Sequence, residues 1–222
     1  MSLSILDLKQ FSLLSVFTDD QLKKIKQLTR FHEFKKNENI ILEGEFANEL
    51  FFVMQGWLKA EKVSREGRQQ TLRFIGPGEV VNELSVFSKE KSNISVVAME
   101  PVVAFSISKS QIDQQLINVP SFSVAVIKSL AKRMQHLLNH IENLSLYPVE
   151  VRLARFLLDG EEKGIVTRQT WKTQSEIANQ LGTVLDVLNR NLQNLVKEGY
   201  ILIDRNQIKI IDIKGLKKIA NE

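Results

Sequence analysis

The chain contains no cysteine, so disulfides, thiolate zinc sites and cysteine-ligated iron–sulfur clusters are excluded for want of ligands. Sulfur-based redox sensing would have to use methionine. Histidine is scarce as well: His32, His136 and His140 are the only ones. A metal-dependent enzyme of the small β-barrel kind needs several His or carboxylate ligands converging from neighbouring strands, and the β-rich part of this chain offers His32 alone. His136 and His140 stand four apart, a spacing that permits a shared metal, yet no further ligand is placed to complete a site, and no metal is expected. No apolar run reaches about 18 residues. The opening MSLSILDLKQFSLL lacks the basic segment and small-residue cleavage site of a secretory signal,, which predicts a cytoplasmic protein without membrane contact. Also missing are a glycine-rich phosphate loop ending in Lys-Ser or Lys-Thr, an HExxH motif and an activated nucleophile pair. Nothing marks a catalytic site. Internal repeats and low-complexity segments are absent too.

What is present is ordinary globular material. The 222 residues are 43% hydrophobic and 25% charged, enough for one or two domains with a sizeable core. The formal charge of +4 permits a nucleic-acid partner without arguing strongly for one. Residues 6 to 30 read as one or two short helices, with Leu22, Ile25 and Leu28 on one face. From about residue 31 to 107 the texture changes to short runs rich in Val, Ile and Phe, punctuated by glycines. LFFVMQ, WLKAEKV, QQTLRFI, ISVVAM and VVAFSI are strand candidates whose spacing by turn signals suggests a small sandwich or barrel.

Pro120 then opens an uninterrupted helical pattern to about Leu146. Within it Ile127, Leu130, Met134, Leu137, Ile141 and Leu144 step by three and four, which is a heptad seam. Such a stripe suits pairing with an identical helix. A long connector packed on its own β domain would look similar, but dimerisation is favoured. Tyr147 and Pro148 break the helix and place a hinge there. The expected division is therefore 1–119, a β domain; 120–147, a dimerisation helix; and 148–222, a second domain.

Residues 173 to 195, TQSEIANQLGTVLDVLNRNLQNL, are the most informative stretch. Thr173 and Glu176 have the capping-box spacing that starts a helix. Ile177, Ala178 and Leu181 give that helix one apolar stripe, and Gly182 can end it in the left-handed conformation. Thr183 with Asp186 repeats the start signal, and Leu188, Leu192 and Leu195 mark the buried side of a second helix. The opposite face carries Leu185, Asp186, Asn189, Arg190 and Gln193, residue types that suit base edges in the major groove. Thr173, Gln174 and Ser175 open the first helix, where side chains and amides can hold phosphates. An ordinary amphipathic helix pair with a solvated polar face would share this pattern. YILID and QIKIID, flanking Arg205 and Asn206, read as a hairpin and favour a winged helix.

An N-terminal β-roll, a long dimer helix and a C-terminal winged helix, in that order, resemble the Crp/Fnr family of bacterial transcription regulators. The residues that carry the resemblance are Gly44 and Gly56, PGEVVNELSVF at 77–87, NLSLYPVEVRLARFLL at 143–158 and TQSEIANQLGTVLDVLNR at 173–190. It covers essentially the whole chain. The resemblance implies an α+β fold, with an antiparallel, jelly-roll-like β-roll, a dimerisation helix and a winged helix-turn-helix. It also implies a homodimer on double-stranded DNA, with RNA polymerase as a further partner and a small-molecule effector in the roll.

In members that bind cyclic AMP, the resemblance implies a GEL cassette followed by an Arg-Ser pair ten and eleven residues after the Glu. This chain has Asn82, Glu83 and Leu84, with Asn93 and Ile94 at the positions of the pair. Neutral Asn and apolar Ile cannot offset the dehydration of a phosphodiester as Arg does. Leu137 and Leu138 stand where such members offer hydroxyls to adenine. The expected pocket is thus apolar and uncharged, and the effector is not cyclic AMP. Haem would need an axial His, Cys or Met and is not expected. In many members the positions of Leu185, Asp186 and Arg190 are Arg, Glu and Arg. Leu185 is therefore expected to meet a thymine methyl or no base. The alternatives in view are an interaction module that kept the fold but lost DNA binding, and the metal-dependent barrel enzyme.

Overall fold

The computed structural model describes residues 3–46, 48–162, 165–167, 172–204 and 207–221. Two compact units are formed, one from residues 1–64 and 72–136, the other from 65–71 and 137–222.

In the first unit, α1 (Ile5–Lys9) and α2 (Asp19–Leu28) each start on a reciprocal capping box, Ser4 with Asp7 and Thr18 with Gln21,. Eight strands follow, of which the fifth begins within the 65–71 segment of the other unit: β1 (Arg30–Phe34), β2 (Asn39–Ile41), β3 (Glu49–Gln55), β4 (Leu58–Val63), β5 (Gln69–Ile75), β6 (Val80–Val81), β7 (Ser95–Ala98) and β8 (Val102–Ser108). They form two four-stranded sheets, ordered β1-β8-β3-β6 and β2-β7-β4-β5. All five strand candidates from the sequence lie on strands. The stretch also holds a short helix, α3 (Glu83–Ser88), between β6 and β7, and α4 (Lys109–Asn118) precedes the long α5 (Pro120–Leu146).

Strand β3 shows how the core is built. Its side chains alternate between faces: Phe51 and Val53 enter the core between the two sheets, with Leu58, Ile75, Val81 and Val96. Leu50 and Phe52 enter a second core on the other face, with Leu8, Phe11, Leu22, Phe105, Phe122 and Val126. A sheet covered on both sides gives a continuous apolar run, as LFFVM reads. Phe52 and Phe105 are register partners on β3 and β8. Their rings stack at 4.8 Å, and Phe11 sits edge-on to each at 5.3 Å, an arrangement that contributes roughly 0.5–1.5 kcal/mol per pair beyond the area buried. Gly56 has φ of +81°, and a Cβ there would lie 2.4 Å from the Pro101 carbonyl oxygen, so the β3–β4 turn admits only glycine.

The second unit contains α6 (Val149–Asp159), β9 (Ile165–Thr167), α7 (Gln174–Gln180), α8 (Leu185–Lys197), β10 (Ile201–Asp204), β11 (Gln207–Ile210) and α9 (Ile213–Ala220). Its sheet runs β10-β11-β9, all antiparallel. The expected hairpin is β10 and β11; Arg205 and Asn206 lie outside the described residues. The core joins Leu153, Leu157, Ile177, Leu188, Leu192, Leu195, Ile201, Ile208 and Leu216.

Candidate nucleic-acid interface and effector cavity

The two helices of the motif are set by their ends. Thr173 caps α7, its Oγ1 accepting from Glu176 N at 3.2 Å. At the other end Gly182, with φ of +63°, lets Thr183 N donate to Ala178 O at 3.0 Å and Gly182 N to Asn179 O at 3.4 Å. This is the paired closure that needs a left-handed residue. Thr183 is thereby used to end the first helix. The second starts one residue later than its Thr-then-acid signal suggested, with Val184 as N-cap and no side-chain cap bond. A Cβ on Gly182 would lie 2.6 Å from Leu144 Cδ2, and the Arg152 side chain donates to the Leu181 carbonyl. The turn is packed, not merely bent.

On α8, Leu188, Leu192 and Leu195 are buried, whereas Leu185, Asp186, Arg190 and Gln193 are exposed and Asn189 is half-buried. Five polar or apolar tips therefore project from one side of a helix anchored by leucines on the other, the geometry a groove reader requires. Of the α7 start, Thr173 and Ser175 are exposed and Gln174 is half-buried.

Helix α5 leaves most of its heptad stripe exposed among the described residues. Ile127 is 65% exposed, Met134 64% and Ile141 58%, with Leu137 and Leu138 also exposed and Leu130 and Leu144 half-buried. Leu130 packs on the core that contains Phe122 and Val126. Exposed large apolar groups at heptad spacing are what a partner helix covers.

The roll holds a cavity of about 60 Å³. Asn82, Glu83, Leu84, Asn93 and Ile94 line it, as the sequence indicated, but Leu137 and Leu138 do not. Two guanidiniums that sequence reasoning missed, Arg73 of β5 and Arg133 of α5, line it instead. The expectation of an uncharged pocket is corrected by them. Arg133 pairs with the buried Glu83. Arg73 pairs with Glu79 at 3.2 Å, and both arginines donate to the Val80 carbonyl. Burial raises the Glu83 pKa above the usual carboxylate value, against the opposing pull of Arg133,. Burial, then the charge of Arg133, lowers that of Arg73. Asn82 stands where a glycine is expected and takes the left-handed conformation, φ 78°, with its Nδ2 donating to Glu49 O at 2.9 Å. Asn is among the few side chains that tolerate this region.

A signal for Arg73 was available. It shares strand parity with Thr71 and Ile75, both buried, so alternation points it inward. Arg133 likewise falls in step with Val126, Leu130 and Leu137, three and four residues apart.

Among the described residues, no three His, Asp or Glu side chains converge as metal ligands, and no helix is long and apolar enough to cross a membrane. His32 Nε2 lies 2.8 Å from Ser106 Oγ, and its ring stacks on Phe34.

Residues 31–118 match the cyclic nucleotide-binding domain family, and residues 151–219 the Crp-like helix-turn-helix domain family. The chain is 26% identical over 194 residues to a CRP-like cAMP-activated global transcriptional regulator of Mycobacterium tuberculosis, covering 85% of this chain and 87% of that one. It is 26% identical over 173 residues to the transcriptional regulator SdrP of Thermus thermophilus, covering 76% and 82%. The fold is shared with the solved structure of FixK2 from Bradyrhizobium japonicum, at a TM-score of 0.74 and 20% identity, over 86% of this chain and 96% of that one. These domains and relatives are those of regulators rather than enzymes. With a cyclic-nucleotide-type roll, a long helix and a winged helix-turn-helix in one chain, the protein belongs to the Crp/Fnr family of DNA-binding transcription regulators.

Proposed function

We propose that this regulator works as a homodimer, paired through Ile127, Leu130, Met134, Leu137, Ile141 and Leu144 of α5, and that a small molecule other than cyclic AMP biases it. The observation that carries the dimer is the stripe of large apolar side chains left exposed along that helix. Two α8 helices brought together by a two-fold axis would read adjacent major-groove half-sites about 34 Å apart. Leu185, Asp186, Asn189, Arg190 and Gln193 would face bases, and Thr173, Gln174 and Ser175 the phosphates.

The case against cyclic AMP rests on Asn93 and Ile94, which line the cavity but bring it no positive charge; its guanidiniums, Arg73 and Arg133, come from β5 and α5 and are already paired with Glu79 and Glu83,. A non-haem effector is supported by His32, the roll's one histidine, already engaged with Ser106. An effector acts only by its differential affinity for the DNA-competent arrangement. The reading places the protein in the cytoplasm with no membrane role, and includes RNA polymerase as a partner at bound promoters.

Selection of bound fragments from random duplex DNA, with and without a metabolite extract, tests the proposal. A two-fold symmetric consensus, enriched further when extract is present, is expected. Asymmetric fragments would overturn the dimer, and enrichment by cyclic AMP alone would overturn the effector assignment.

A further inference from the structure

The cavity beneath the Asn82 turn carries positive charge from outside the cassette. Arg73 and Arg133 arrive from a strand and a helix 60 positions apart and aim donors at one acceptor, the Val80 carbonyl oxygen. Two like charges at one poorly hydrated wall repel, and a bound anion between them relieves that repulsion. Arg73 is depressed by burial and by Arg133, which agrees with this geometry.

The counter-charges differ in how replaceable they are. Glu83, whose side chain is 1% exposed, is fixed against Arg133, whereas the Glu79 side chain, 3.2 Å from Arg73, is 42% exposed. The Glu79 carboxylate also accepts from Gly76 N at 2.7 Å and stands outside the cavity lining, so it keeps a partner when Arg73 turns away. An incoming carboxylate can therefore draw the planar fork of Arg73, which matches it in a bidentate fashion. Size narrows the class further. A void of about 60 Å³ exceeds several-fold the roughly 10–15 Å³ that one water needs, so it admits a short acid.

We propose that this cavity binds a short-chain organic acid, with Arg73 reading its carboxylate and Arg133 as the second clamp. The inference rests on the reading of the roll as an effector-binding domain. Binding draws Arg133 donors from the Val80 carbonyl, and because Arg133 belongs to α5, ligand charge acts directly on the helix assigned to dimerisation.

The test is thermal-shift titration of the full chain with acetate, pyruvate, malonate, inorganic phosphate and cyclic AMP, repeated on Arg73→Gln, Arg73→Lys and the surface control Lys36→Gln. At least one carboxylate is expected to raise Tm saturably, with affinity about tenfold or more weaker in Arg73→Gln and unchanged in the control. Arg73→Lys keeps the charge without the fork, so it retains the fold and still binds weakly. Tighter binding of cyclic AMP than of any acid, or equal acid binding by both Arg73 variants and the parent, overturns the inference. Metabolite extract separates the two levels. A stabilising component that ignores the Arg73 variants removes the organic-acid assignment and leaves the effector reading standing; no response to extract or to any acid removes both.

Discussion

The Arg155 guanidinium lies 3.6 Å from the centroid of the Tyr147 ring, stacked at the break between α5 and α6. The same side chain donates from Nη1 to Asn143 Oδ1 at 2.8 Å and from Nε to the Ala220 carbonyl at 2.8 Å. One arginine thus ties the last turn of α5, the Tyr147 corner and the end of α9. The corner expected to act as a hinge carries the contacts of this one arginine.

Arg155→Lys keeps the charge but loses the planar stack and the fork. A destabilisation of about 1–3 kcal/mol is expected from the two lost hydrogen bonds and the stacking, seen as a lower urea midpoint with the slope unchanged. A midpoint equal to that of the parent would show that Arg155 adds nothing to the corner.

Arg190→Ala should cost about 1–3 kcal/mol of discrimination at one base pair and leave non-specific affinity nearly intact. The reciprocal change, Leu185→Arg, should add a guanine preference at the position Leu185 faces. Gel-shift competition across single-base variants of the selected operator measures both. Uniform weakening of every sequence by Arg190→Ala would make it a phosphate contact.

Ile141→Asp places a carboxylate on an exposed stripe, so the protomer should fold normally. In the dimer two such carboxylates meet across the two-fold axis. Sedimentation is expected to show a shift to monomer with an unchanged far-ultraviolet circular dichroism spectrum, and operator affinity should fall by about two orders of magnitude or more. A dimer that persists would move the interface elsewhere.

Burial beside Phe156 lowers the Lys172 pKa from 10.5 to about 8, its Nζ resting 4.6 Å from the ring centroid. Between those two values the unfolded chain binds more protons, so this residue's contribution to stability rises with pH from about 8 to 10.5 and is flat below,. Lys172→Met removes the cost of burying the charge. The variant should melt a few degrees higher than the parent at pH 7, and the gap should close as the pH approaches 10.5,. A gap independent of pH would assign the gain to packing instead.

The elements legible in the sequence were those with their own periodicity. LFFVMQ and VVAFSI announced β3 and β8 because burial on both faces leaves no polar interruption, and the leucines of α8 announced a buried side at helical spacing. Strand β1, RFHEF, was hidden by its charges; its burial pattern has no fully buried position. Strands β2, β6 and β9 are two or three residues long, too short for any period to register. Helix α8 starts one residue beyond the Thr183 signal because closing α7 consumes Thr183, a competition invisible to local patterns. The cavity was the largest gap. Strand parity and helical step point Arg73 and Arg133 inward one at a time, but only the crossing of β5, β6 and α5 brings them to one oxygen.

The edge-on placement of Phe11 against two stacked rings has a practical corollary. A chain trimmed past this residue would uncover aromatic edges on a sheet whose reverse side is already filled, leaving a sticky plate only partly shielded by Phe122 and Val126 of α5. Shortened versions should precipitate rather than lose regulation selectively, so the leading segment is structural cladding and not a dispensable tail.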